Sequence, residues 1–193
     1  MAFIGMQHVV VAKVATEVEG QELTYSAGMV VGKAIQGNLT WERNDNPLYA
    51  DDAMAENDNG ATGVTLELGT DDILDAVRVY MLGDSEIAMG QDAEPEYETN
   101  GNGAPYVGIG YMRVRRKNGV TTYQANWFHK AQFAENNENA QTKGQNIEWQ
   151  TPTLNGRIFG VRNNAAGEIR FRRRANFETA AAAAAWLDAK AGI

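Results

Sequence analysis

Two histidines, His8 and His129, are the side chains of this 193-residue chain best suited to proton transfer, and they stand far apart. The chain has no cysteine, which excludes a disulfide framework, thiol catalysis and any cysteine-ligated zinc or iron–sulfur site. With no His-x-x-x-His spacing, two remote histidines do not make a metal centre. His129 falls on the strand face of Tyr123, Ala125 and Trp127 and is expected as a core or interface histidine. His8 opens a strand with no partner near it in sequence. Residues 55–66 place Gly60 where a calcium loop turns, but Ala55 and Leu66 stand where the first and twelfth ligands belong. Gly101-x-Gly103 and Gly108-x-Gly110 lack the third glycine and the strand-to-helix setting of a dinucleotide site. Neither a Walker lysine motif nor a G-x-S-x-G elbow occurs. Asp51/Asp52 and Asp71/Asp72 read as solvated acids and not as a glycosidase pair. The expectation is a protein without catalytic, metal or cofactor residues.

Charge is the chemistry that remains. Residues 1–100 carry 19 Asp+Glu against 4 Lys+Arg, a formal −15, and residues 101–193 carry 6 against 13, a formal +7. One-sign surfaces repel themselves within a lone molecule, whereas copies meeting acidic patch to basic patch make complementary contacts. Folding that mixes the two halves would instead neutralise them internally. The densest cationic feature is Arg170, Arg172, Arg173 and Arg174. At period two, Arg170, Arg172 and Arg174 share a face, with Ile169 and Phe171 pointing inward, as a basic face for acidic protein or phosphate. The net −8 argues against general coating of nucleic acid and favours acidic protein. Residues 1–11 lack the pattern of a secretion signal, and no stretch reaches the ~18–20 apolar residues of a membrane helix. A soluble protein made in the cytoplasm is expected.

The elements that position these residues are mostly strands. Residues 8–14 form a β-branched run typical of a buried strand. Residues 29–31 and 34–41 predict two more, broken at Gly32. The clearest element is a hairpin over 106–133, turning at Asn118-Gly119, a pair that tolerates the positive φ of a type I′ turn. Pairing Lys117 with Val120 sets Met112 opposite Ala125, Val114 opposite Tyr123 and Gly110 opposite Trp127 on a core face. The other face, expected to be polar, holds Arg113 opposite Gln124, Arg115 opposite Thr122 and Tyr111 opposite Asn126. Strands are also predicted over 146–153, 157–161 and 168–174. One helix is predicted from an N-cap at Thr70, with Ile73, Val77, Tyr80 and Met81 on one face and Gly83 at its end. A second, over about 179–190, offers mainly Trp186 and Leu187 as apolar contact, too little to be stable alone.

Two stretches stand apart. Residues 42–60 hold ten Asp, Glu and Asn among Pro47, Leu48, Tyr49 and Met54, as expected of a long arm loop that folds against a partner. Residues 84–104 read as a mobile loop. The chain is expected as one domain over 1–193: mainly β, a β-sandwich or partial barrel of antiparallel strands, with a flanking α-helix, the arm loop and a C-terminal helix.

The segment Thr142-Lys143-Gly144 followed by residues 147–156, IEWQTPTLNG, resembles a signature of siphophage major tail proteins. So do residues 44–52, NDNPLYADD, with 60–69 and the helix behind them, and residues 105–111, PYVGIGY. The matches follow one order over most of the chain; the alanine-rich C-terminus departs from them. The resemblance implies a tail-tube fold and a structural virion protein. Copies would assemble into stacked hexameric rings forming the tail tube, the conduit for DNA ejection, after assembly in the host cytoplasm. Its implied partners are copies of itself, a tape measure protein and tail-end proteins, with DNA passing without specific binding and no membrane. In that reading Pro47, Leu48, Tyr49, Asp51, Asp52, Met54 and Glu56 form the inter-subunit arm, and Arg170, Arg172 and Arg174 the basic assembly face. The alternative is a non-catalytic β-sandwich binding module for a carbohydrate or protein ligand, using Trp127, Trp149 or Trp186 as a stacking platform.

Overall fold

The computed structural model describes residues 2–51, 53–87, 95–136 and 151–193. In chain order the elements are β1 (Ala2–Thr16), β2 (Thr24–Gly32), β3 (Ala34–Arg43), β4 (Asn46–Ala50), β5 (Ala53–Asp58) and β6 (Ala61–Thr70). Helix α1 (Asp75–Met81) follows, then β7 (Ser85–Ile87), β8 (Glu96–Glu98), β9 (Val107–Lys117), β10 (Val120–Glu135), β11 (Thr153–Ile158), β12 (Arg172–Phe177) and α2 (Ala180–Ala191). The protein is mainly β, as expected, with antiparallel sheets, one flanking helix and one C-terminal helix.

The main sheet runs β2-β1-β9-β10-β11-β6-β3, with β12 also paired to β10. The 16-residue β10 is its spine. Along one edge, Tyr123–Phe128 pair with β12 and Ala131–Glu135 with β11; β9 lies on the other edge. Twist accumulated along so long a strand brings the ends of the sheet round, so that Met6 of β1 lies on Gly37 of β3.

Both faces of the sheet centre are covered, which explains why residues 9–12 of β1, a near-continuous valine run, are all buried. The inner face buries Val9, Val11, Leu66, Leu68, Ile109, Tyr111, Phe128 and Phe133 with Val77, Tyr80 and Met81 of α1. The outer face buries Val10, Ala12, Met112, Ala125 and Trp127 beneath Ala183, Leu187 and Ala191 of α2. Small side chains let α2 sit close. Gly110 is required for that approach, because a Cβ there would stand 2.7 Å from both Leu187 Cδ2 and Trp127 Cε3.

The β9–β10 register is the expected one from Lys117↔Val120 through Met112↔Ala125 to Phe128↔Ile109; beyond it an irregularity shifts the pairing by one residue, to Ala131↔Val107. Asn118 and Gly119 both have positive φ, 51° and 81°. The expected division into one core face and one polar face is corrected. Tyr111 and Asn126, assigned to the polar face, are buried at the edge of the inner core, and that face turns polar only beyond them. Two covered faces cannot be told from one by alternation alone.

Helix α1 is shorter than predicted. Thr70 ends β6, paired with Ala34, and the Asp71 N–H donates to Lys33 O, so the ladder holds these residues extended and the helix starts after Leu74. Gly83, at φ 82°, closes it as expected, its N–H bonding to Arg78 O. Helix α2 matches its prediction: Thr179 caps it by accepting from the Ala182 N–H at 3.2 Å, and Gly192 ends it at φ 75°. Its buried contacts are Ala183, Leu187 and Ala191, with Trp186 half-buried against Phe177.

Strand β6 is absent from the sequence-based reading. Val64, Leu66 and Leu68 alternate as a strand should, but acidic and glycine-rich neighbours hide the pattern. The strand predicted over 157–161 begins earlier, as β11. That over 168–174 lies later, as β12, with Ile169 exposed and not inward. Of the strand predicted over 146–153, residues 146–150 lie outside the described residues. In the segment 84–104, expected as a mobile loop, the described residues include the β7–β8 pair. Its base is tied by Asn100, whose N–H donates to Asp84 Oδ1 at 3.1 Å and whose Nδ2 donates to Leu82 O and Gly103 O. Among the described residues no helix is long and apolar enough to cross a membrane.

Candidate functional site

The arm is a β-hairpin. Between β3 and β6 the ladder continues through the Asn44 N–H, which donates to Gly60 O at 2.9 Å, into the separate pair β4–β5. Pro47, Leu48 and Tyr49 lie in β4, Asp51 in the turn at φ 51°, and Met54 and Glu56 in β5; Asp52 lies outside the described residues. Leu48, Tyr49 and Met54 are 59%, 66% and 59% exposed and belong to neither buried cluster. An isolated two-stranded hairpin is marginal in water; this one is joined to the main sheet at its root by the Asn44–Gly60 bond. Residues 44–60 carry Asp45, Asp51, Asp52, Glu56 and Asp58 and no Lys or Arg.

The predicted basic face is corrected in composition. Arg170 lies outside β12, bridges to Val161 and is ion-paired to Glu168 at 2.6 Å, so it does not join Arg172 and Arg174 on a strand face. The pairing of β12 with β10 sets Arg172 beside Phe128 and Arg174 beside Asn126, on the face where β9 places Tyr111, Arg113 and Arg115. A hydrogen-bonded chain crosses the three strands. Arg113 Nη2 donates to Gln124 Oε1 at 2.9 Å, Gln124 Nε2 to Asn176 Oδ1 at 3.2 Å, and Arg115 Nη1 to the same oxygen at 2.9 Å. Aromatic rings border it: the Arg113 guanidinium lies 3.8 Å from the Phe3 ring centroid, and Trp41 lies between Arg172 at 5.2 Å and Arg43 at 5.9 Å. Among the described residues the buried Nε of Arg113 and of Arg115 and the buried Oδ1 of Asn126 have no hydrogen-bond partner. Sequence reasoning paired Arg113 with Gln124 correctly. It missed that β12 adds its arginines to the same face, since strand order is not written in a hairpin.

Folding partly neutralises the two halves of the chain. Glu17 pairs with Lys130 at 2.5 Å, Glu42 with Arg157 at 2.8 Å, Glu22 with Arg173 and Lys190, and Glu135 with Arg78. Of the described residues this pairing leaves out, among others, Asp71, Asp72, Asp75, Lys33, Arg116 and Lys117, and with them the charges of the hairpin and of one sheet face. Among the described residues no ion pair involves the hairpin carboxylates, nor Arg43, Arg113, Arg115, Arg172 or Arg174.

The histidines serve structure in this arrangement. His8, at φ 53°, occupies an irregularity in the β1–β9 ladder, and its Nε2 lies 2.6 Å from Asp188 Oδ1, tying α2 to the sheet. His129 is buried, as expected, on the floor of a cleft of about 220 Å³ lined by Glu22, Tyr25, Asn163, Arg173 and Lys190 among others. Asn163 Nδ2 lies 3.3 Å from His129 Nε2, and the Tyr25 hydroxyl donates to His129 O at 2.8 Å. Burial pushes Tyr25 up to about 12. Burial, aided by Arg173, pushes His129 down to about 4, so its imidazole is neutral at pH 7. Among the described residues no three His, Asp or Glu side chains are grouped as a metal would need.

The His129 shift gives stability a defined pH dependence. The unfolded chain takes up this proton near the ordinary 6.5 and the folded chain near 4. In between, the unfolded state holds more protons, so stability is full above about pH 6.5 and falls by about 3 kcal/mol as pH drops to about 4. Glu22, held below the usual carboxylate range by its hydrogen bond from Arg173, loses its stabilising effect only at lower pH. Urea unfolding from about pH 7 to about pH 4 measures the slope, which His129→Gln flattens. A parent chain equally stable across this range would refute the assignment.

Of the aromatics proposed as a stacking platform, Trp127 is fully buried, Trp186 is half-buried, and Trp149 lies outside the described residues. Compared with known proteins, the sequence matches no family model and no curated protein.

Proposed function

We propose that this chain is a structural protein that assembles with copies of itself into stacked rings, six copies to a ring, and that the stack is the tube of a phage tail through which DNA leaves. The observation that carries self-association is the β4–β5 hairpin, which holds Leu48, Tyr49 and Met54 out in water. Isolated apolar residues at a surface are ordinary, but three large ones grouped on a projecting element outside both cores suit a partner. Strand edges point the same way. Among the described strands of the main sheet, β2, β3 and β12 each pair on one side only. Exposed edges are aggregation hazards that closed assemblies remove by pairing each with a neighbour. The ring number and the tail location come from the resemblance of residues 44–52, 105–111 and 142–156 to siphophage major tail proteins.

Electron micrographs of the purified protein, over a concentration series followed by light scattering, test the reading. Rings or tubes that grow with concentration are expected. A particle that stays monomeric at every concentration would overturn it.

A further inference from the structure

We infer that the arginine face formed by Arg43, Arg113, Arg115, Arg172 and Arg174 is the seat of the β4–β5 hairpin of another copy of this chain. The inference rests on the self-assembly reading and adds to it the acceptor surface. Three observations carry it.

The first is charge. The hairpin segment has five carboxylates and no cation, and the face has five guanidiniums; neither set enters any ion pair among the described residues, although other acids of the first half do pair with cations of the second. Complementary surfaces left over after internal pairing set register and speed encounter. The second is polar satisfaction. Arg113 and Arg115 are half-buried, and among the described residues their guanidiniums donate to the neutral side-chain oxygens of Gln124 and Asn176 and to no carboxylate. A guanidinium bonds more strongly to a carboxylate than to a neutral amide oxygen, and the hairpin brings carboxylates. The third is the border of the face. Phe3 is 46% exposed and Trp41 is half-buried, each stacked by arginine. They offer Leu48, Tyr49 and Met54 an apolar contact beside the charges.

The hairpin's own copy does not supply this contact. β4 leaves β3 as a continuation of the ladder, and a strand of six residues projects its tip roughly 20 Å from the root. That reach crosses to a neighbour.

The absence of native cysteine makes a direct test available. One full-length variant carries Met54→Cys in the hairpin, and a second carries Thr122→Cys on the arginine face, opposite Arg115. A third carries Ala166→Cys, in an exposed turn away from that face. Pairs are mixed under mild oxidation. The Met54→Cys chain is expected to form mixed disulfide dimers with the Thr122→Cys chain roughly tenfold over either homodimer and over the Ala166→Cys control. High salt should reduce the excess. A statistical mixture, or no mixed dimer, while the parent chain still forms rings would reject the seat and leave self-assembly standing. A parent chain that never assembles rejects both.

A charge swap gives the second arm. Arg113→Glu with Arg174→Glu should abolish rings, and Asp51→Lys with Glu56→Lys in the same chain should restore them. If the arginine variant keeps its rings and loses only retention of oligothymidine, the face serves nucleic acid and the inference fails.

Discussion

Replacing Leu48 and Tyr49 with serine is expected to leave the folded monomer as stable as the parent chain while abolishing its assembly. Both side chains are more than half exposed and contribute nothing to either buried cluster, so the change in folding stability should stay within about 0.5 kcal/mol. At an interface the same side chains are of the kind that dominates binding, a tyrosine above all. Losing about 2 kcal/mol at Tyr49 and about 1 at Leu48 weakens each contact on the order of a hundredfold. Because a ring closes only when every contact holds, the effect on assembly is steeper still. Urea unfolding measures the first quantity, and light scattering with electron microscopy the second. A double variant that still forms rings at the parent concentration would remove the hairpin from the interface, whatever else holds the copies together.

The second large effect is on stability. Trp127→Ala should cost about 4 kcal/mol. Trp127 is completely buried between the outer sheet face and α2, with the Tyr25 ring edge-on at 5.0 Å and Gly110 beneath it. Removing the indole opens a void that β10 cannot collapse into, since its neighbours β9 and β12 hold it on both edges. It also strips α2 of its main platform. The alanine-rich helix has few large side chains with which to recover contact, and little intrinsic stability apart from packing. For a chain of this size the loss lowers the unfolding midpoint by roughly 8–16 °C. A shift of one or two degrees would show that the second core is not a cohesive part of the fold.

The hairpin 107–133 shows how far local sequence reaches. Asn118-Gly119 fixes the turn, the turn fixes the register, and every pair from Lys117↔Val120 to Gly110↔Trp127 follows. The ends of α2 were legible for the same reason, because Thr179 and Gly192 act on backbone groups within their own helix. Where a distant strand intervened, local reading failed. Thr70 has the chemistry of a helix cap, yet pairing with Ala34 holds it in β6. Arg170 follows the period of Arg172 and Arg174, yet the chain enters β12 only after it.

The candidate site divides along the same line. That residues 42–60 form an acidic, apolar arm, and that arginines in the second half form a basic surface, could be read from composition and spacing, which are properties of the chain itself. Which arginines stand together is set by β10, because one strand pairing β9 on one edge and β12 on the other places arginines distant in sequence on the same face, in rows on either side of it. The same folding decides which charges cancel and which remain. Glu17, Glu22 and Glu42 are neutralised by partners far along the sequence, whereas among the described residues the hairpin acids and the inner-face arginines enter no ion pair.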